Sequence, residues 1–172
     1  AADKKPNVLF IAIDDQNDWI GYLGGHPMVK TPHIDKLASQ GMRFTDAHSS
    51  SGVCSPSRYT ILTGRYHWRT RLQSGIVGLW GAPLIAPGRL TIGGLAKQHG
   101  YRTACIGKWH LGEDPYGPLS QGFDIQIPRW NKGWPKQGYH APFGFDDLVG
   151  AQGEYLTDRL TDEAEIFITD NK

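Results

Sequence analysis

The feature that most constrains this chain is a nearly continuous apolar run, Asn7-Val8-Leu9-Phe10-Ile11-Ala12-Ile13, that stops abruptly at Asp14 and Asp15. An unbroken run of strand length suits a strand buried on both faces, as parallel sheets require. Its carboxyl end is the edge at which open α/β sheets bind ligands. Helical signals follow. Thr31 is the predicted cap of a first helix, Pro32 fits its first turn, Gly41 ends it, and Ile34, Leu37 and Ala38 share one face. Met42 to His48 reads as a short strand and Pro56 to Leu62 as a second helix. Thr91 is the predicted cap of a third helix, with Ile92, Leu95 and Ala96 inward and Gly100 at its end; Tyr101 to Ile106 is the next strand. From Gly112 to Gly153 the pattern dissolves into Gly, Pro and aromatics, the signature of a long loop. Leu156, Leu160, Ala164, Phe167 and Ile168 then mark a final amphipathic helix. Strand, helix, strand and helix in this order predict an α/β fold, a mostly parallel sheet flanked by helices.

Charge and composition exclude several classes. With 18 basic and 17 acidic side chains the net charge is +1, which gives no electrostatic case for binding nucleic acid or an anionic membrane surface. No apolar run approaches the roughly 20 residues of a membrane span. Two cysteines, Cys54 and Cys105, are too few for a disulfide scaffold. Ala1-Ala2 before polar Asp3-Lys4-Lys5 reads equally as the remnant of a cleaved leader or as an arbitrary start. Six tryptophans are many for this length; most are expected in the core, and some are free to line a sugar- or aromatic-facing cleft.

The segment that carries chemistry is Gly52-Val53-Cys54-Ser55-Pro56-Ser57-Arg58-Tyr59-Thr60-Ile61-Leu62-Thr63-Gly64. A cysteine stands just before a Pro-started helix, with Arg58 one turn along. A helix N-terminus and a nearby guanidinium both favour negative charge, which fits a reactive thiolate or an anion site. On position alone, a capped turn with a buried cysteine and a solvent arginine fits as well. Asp14 and Asp15 offer hard oxygen donors suited to Ca²⁺ or Mg²⁺, although paired aspartates also end many strands as turn formers.

Cys54-Ser55-Pro56-Ser57-Arg58 followed by Leu62-Thr63-Gly64 resembles the signature of the formylglycine-dependent sulfatases. Gly100-Tyr101-Arg102-Thr103-Ala104-Cys105-Ile106-Gly107-Lys108-Trp109-His110-Leu111-Gly112 resembles that family's second signature. The likeness runs from Pro6 to about Ile168 and is loose from Glu113 to Gln152. It implies an alkaline phosphatase/sulfatase-like α/β fold, of which residues 1–172 are the N-terminal part of the catalytic domain, with the remainder absent. It implies that a separate maturation enzyme oxidises Cys54 to formylglycine, an aldehyde. One hydroxyl of its hydrate attacks the sulfate ester, and the second expels inorganic sulfate afterwards. By the same resemblance Asp14, Asp15 and residue 54 are metal ligands, Ca²⁺ being the usual ion and Mg²⁺ an alternative. Arg58, Lys108 and His110 are then active-site residues.

The expected substrate is a sulfated small molecule or carbohydrate, and the expected location is outside the cytoplasm. Further metal ligands, a second His and a second Lys belong beyond residue 172 in this family. Asp170-Asn171 is not the missing ligand pair, because it follows a helix and not a strand. A phosphonate monoester or phosphodiester hydrolase sharing the motif, and an inactive module that keeps only the fold, are the alternatives. His26, His48 and His67 are expected to be structural, Cys105 to be buried packing, and Gly122-Phe123-Asp124 to form a turn near the substrate cleft.

Overall fold

In the second unit, β1 (Ala104–Ile106) and β2 (Ile125–Ile127) form a parallel pair, with Ala104 opposite Ile125, Cys105 opposite Gln126 and Ile106 opposite Ile127. The structure is a computed structural model that describes residues 5–70, 85, 86 and 88–172. Ala1-Ala2, the possible cleavage remnant, lies outside the described residues. Contacts divide the chain into two units, Ala1–Ser49 and Ser50–Lys172. Among the described residues there are four α-helices: α1 (Pro32–Gln40), α2 (Cys54–Thr63), α3 (Ile92–Gln98) and α4 (Leu156–Asn171). The fold class is α/β, as the order of elements predicts.

The first unit departs from the sequence reading. Neither Val8 to Ile13 nor Met42 to His48 forms a strand within it. A strand is completed only by a neighbour's N–H and C=O groups, and the described residues of this unit hold one α-helix and no paired strand. Asp14 and Asp15 form a turn, with Asp15 in the left-handed region at φ 54°. Thr31 flanks α1 as predicted, but its hydroxyl does not cap the helix. It accepts the Gly21 N–H (2.8 Å) and donates to Asp35 Oδ1 (3.1 Å), which also accepts the Tyr22 N–H (2.8 Å). The predicted cap is diverted to tie the short 3₁₀ turn Gly21–Leu23 onto α1.

In the second unit the local signals read well. Thr91 caps α3 by accepting the Gly94 N–H (3.1 Å), and its hydroxyl donates to the Gln121 carbonyl (2.5 Å). α2 starts earlier than the Pro56 expected, taking Cys54 into its first turn, and ends at Gly64 in the left-handed conformation. α4 buries Leu156 and half-buries Leu160, Ala164 and Phe167, while Ile168 stays exposed.

The segment 112–153 is not all loop: it contains the 3₁₀ turn Leu119–Gln121 and β2. Asp124 sets where β2 begins. Its carboxylate accepts the Thr103 N–H (2.9 Å) and hydroxyl (3.0 Å) and pairs with Lys97 (2.8 Å) and Arg102 (3.8 Å). The Lys97 bond, then the Thr103 amide, pull the Asp124 carboxyl down to about 2.

Two apolar clusters hold the unit. Tyr59, Ile85, Trp109 and Leu111 pack together with Leu62, Cys105 and Phe123 around them. Ala141, Phe143, Leu148 and Leu156 form the second, flanked by Ile127, Phe145 and Leu160. Each large side chain so buried contributes about 1.5–3 kcal/mol. The first cluster matters most for function, because it presses α2 against the segment that leaves β1.

Candidate active site

Burial alternates along the segment that leaves β1. Trp109 and Leu111 point into the first cluster at 2% and 1% exposure, while Lys108 and His110 are half-buried on the other side. Gly107, at φ 94°, begins this segment and donates its N–H to the Ile127 carbonyl (2.7 Å), carrying the ladder one residue past β1. Trp109 is locked by its Nε1–H to the Tyr116 carbonyl (3.0 Å) and by an edge contact with Phe123 (ring centroids 6.0 Å). A fixed Trp109 fixes the neighbouring Lys108 and His110.

α2 supplies the facing side. Tyr59 anchors it in the cluster at 1% exposure. Cys54, in the first turn, brings its Sγ to 3.0 Å from His110 Nδ1. Ser55 is fully buried and donates its hydroxyl to the His110 carbonyl (2.7 Å). Arg58 Nη1 donates to the Lys108 carbonyl (2.6 Å). His110 has φ 60°, a left-handed conformation that a non-glycine residue adopts only when its surroundings hold it there. The Ser55 bond and the two buried neighbours do so.

The structure therefore brings together Cys54, Arg58, Lys108 and His110, four of the six residues singled out in the sequence. Asp14 and Asp15 lie in the first unit. Two adjacent carboxylates on one turn are hard oxygen donors of the kind Ca²⁺ or Mg²⁺ takes. They fit in kind as part of the about six to eight oxygens that Ca²⁺ requires. Among the described residues, no three His, Cys, Asp or Glu side chains are gathered into a metal-binding group.

Cys105 is packing, as expected. Burial pushes its thiol up to about 11, against a smaller opposing pull from the Arg58 charge. His67 is buried between Tyr66 and Trp68 (ring centroids 5.0 and 5.2 Å), and His26 packs on Trp19 (4.5 Å). His48 is exposed near Asp46. Asn171 closes α4 with its side-chain amide donating to the Phe167 carbonyl (2.8 Å).

Three residues at the site have no signal in the sequence reading. Ser55 occupies the variable position of the Cys-x-Pro-Ser-Arg motif. Gly133 lies close against the His110 imidazole: a methyl group there would sit 2.6 Å from Cε1 and 2.7 Å from Nδ1. Trp134 meets the same imidazole edge-on (6.3 Å, 74°). The last two come from the Gly- and aromatic-rich stretch whose pattern predicts only loop.

Comparison with known proteins agrees with this geometry. The Sulfatase family model matches residues 6–172. The N-acetylgalactosamine-6-O-sulfatase of Bacteroides thetaiotaomicron is 42% identical over 116 residues, covering 66% of this chain and 22% of its own length. The steryl-sulfatase of Mus musculus is 37% identical over 159 residues, covering 83% of this chain and 25% of its own. The crystal structure of Ps i-CgsB in complex with k-i-k-neocarrahexaose is 26% identical with a TM-score of 0.70, over 88% of this chain and 38% of that one. The chain spans about a quarter of the length of the two curated relatives. With a family model matched along nearly its whole length and both signatures meeting at one site, the chain belongs to the sulfatase family.

Proposed function

We propose that the protein hydrolyses a sulfate ester of a carbohydrate, with Cys54 as precursor of the nucleophile. The observation that carries this reading is the 3.0 Å approach of Cys54 Sγ to His110 Nδ1 in the first turn of α2. Its family supports sulfate ester chemistry. A sulfated sugar is favoured by the activity for which the Bacteroides relative is named and by the oligosaccharide held by Ps i-CgsB.

Conversion of Cys54 to formylglycine would supply a hydrated aldehyde with one hydroxyl to attack and another to release sulfate. Asp14 and Asp15 would contribute to holding a Ca²⁺ or Mg²⁺ ion, which polarises sulfate oxygens when bound. The remaining work belongs to this chain's own side chains. Arg58, together with the N-terminal dipole of α2, stabilises negative charge at position 54. Lys108 pairs with the sulfate oxygens. His110 moves a proton at the position of the Cys54 sulfur, the atom its Nδ1 already faces. A maturation enzyme is the implied partner. Its family favours a location outside the cytoplasm. No helix among the described residues is long and apolar enough to cross a membrane.

The test uses the full-length protein from its own host, offered a 6-O-sulfated hexosamine and the corresponding phosphate ester. Release of inorganic sulfate, abolished by Cys54→Ala and cut at least a hundredfold by His110→Ala, is the expected result. Preferential hydrolysis of the phosphate ester would overturn it.

A further inference from the structure

The residues after β2 fold back over His110 and are held there at many points. Arg129 N–H donates to Asp147 Oδ2 (2.8 Å), and Gln126 Nε2 donates to Asn131 Oδ1 (2.7 Å). Lys132 pairs with Glu113 (2.8 Å). Trp130 donates its Nε1–H to the Trp134 carbonyl (2.6 Å), while its ring lies against Phe145 (6.1 Å) and beneath the Lys136 ammonium (5.9 Å). These contacts fix the backbone on either side of Gly133, which rests on the imidazole at a distance no side chain would permit.

Trp134 is the outcome of this arrangement. Its backbone is fixed through Trp130 and its indole touches His110 edge-on, yet the residue is 64% exposed. Trp109, in contrast, spends its indole in the core. A large apolar ring exposed at the surface, on a backbone tied through Trp130 and beside the histidine that faces Cys54, is positioned to meet a second ring at reduced ordering cost. The apolar C–H face of a sugar suits an indole face, and the sulfate on that sugar would lie toward His110 and Lys108.

We propose that Trp134 is a specificity-determining residue: its indole stacks on the sugar ring that carries the sulfate ester, and Gly133 brings that wall against His110. The proposal deepens, and rests on, the reading of the protein as a carbohydrate sulfatase. Neither sequence signature includes either residue.

The experiment compares kcat/KM of the full-length protein for 6-O-sulfated N-acetylgalactosamine and for ethyl sulfate, which has no ring. Trp134→Ala should reduce the preference for the sugar ester roughly tenfold, the upper range of a ring–ring contact, and mainly through KM. Trp134→Phe, which keeps a flat apolar ring, should recover most of it. Equal losses on both esters, or an unchanged preference, would overturn the stacking role while leaving the sulfatase reading intact. A wild-type protein that releases sulfate from neither ester would overturn the sulfatase reading and the stacking role together.

Discussion

Ser55→Ala is the sharpest probe of how the site is held. The hydroxyl of Ser55, fully buried in α2, donates to the carbonyl of His110 at 2.7 Å, and His110 sits at φ 60°. Two effects oppose each other. Alanine is the better helix former, by about 0.5 kcal/mol. Losing the hydrogen bond costs about 1 kcal/mol, rising to about 3 kcal/mol to the extent that the buried carbonyl finds no replacement. The bond should win, leaving the variant about 0.5–2.5 kcal/mol less stable, read as a lower urea midpoint at unchanged m. Activity should suffer more than stability. His110 would be freed to shift relative to position 54, and a displacement near 1 Å costs on the order of a hundredfold. A midpoint at or above that of the unaltered protein, with kcat/KM retained, would show that the Ser55 bond does not hold His110 and would refute the reasoning.

Other consequences can be checked separately. Gly133→Ala places a methyl group 2.6–3.0 Å from the His110 imidazole, so the ring must move. Activity should fall at least tenfold, while stability drops by about 1–3 kcal/mol, the usual range for overpacking. Cys105, with its thiol pushed up to about 11 by burial, should resist iodoacetamide at pH 8 and react once the protein is denatured; equal labelling of native and denatured protein would contradict that. Asp124 ionises more readily in the folded protein than its ordinary value of 3.8, at about 2. Its contribution to stability is therefore present above about pH 4 and is lost as pH falls toward 2. Asp124→Asn should flatten the stability profile across that window, and an unchanged profile would count against the network with Lys97 and Thr103.

Local chemistry was the most legible part of the sequence. The cap and stop that define α3 lie within a few residues of what they act on, so Thr91 and Gly100 could be read directly. Strands were harder, because a strand is half of a pair. Val8 to Ile13 has the composition of a buried strand and no strand partner among the described residues of its own unit, whereas Ile125–Ile127 pairs with β1 and is too short to show a period. Thr31 shows the limit of cap reading, since its hydroxyl is claimed by Gly21 and Asp35 through tertiary contact.

Within the site, Cys54, Arg58, Lys108 and His110 stood out through the resemblance. Ser55, Gly133 and Trp134 did not stand out. Their roles are distances to one imidazole, set by the packing of α2 and of the residues after β2, and no periodicity records such distances.

The central claim is that Cys54 is the precursor of a formylglycine nucleophile. It is tested most directly by mass spectrometry of the peptide containing position 54, from protein purified from its own host. The expected result is a peptide lighter by the conversion of the thiol to an aldehyde and reactive toward a hydrazine. A peptide carrying only the intact cysteine would contradict it.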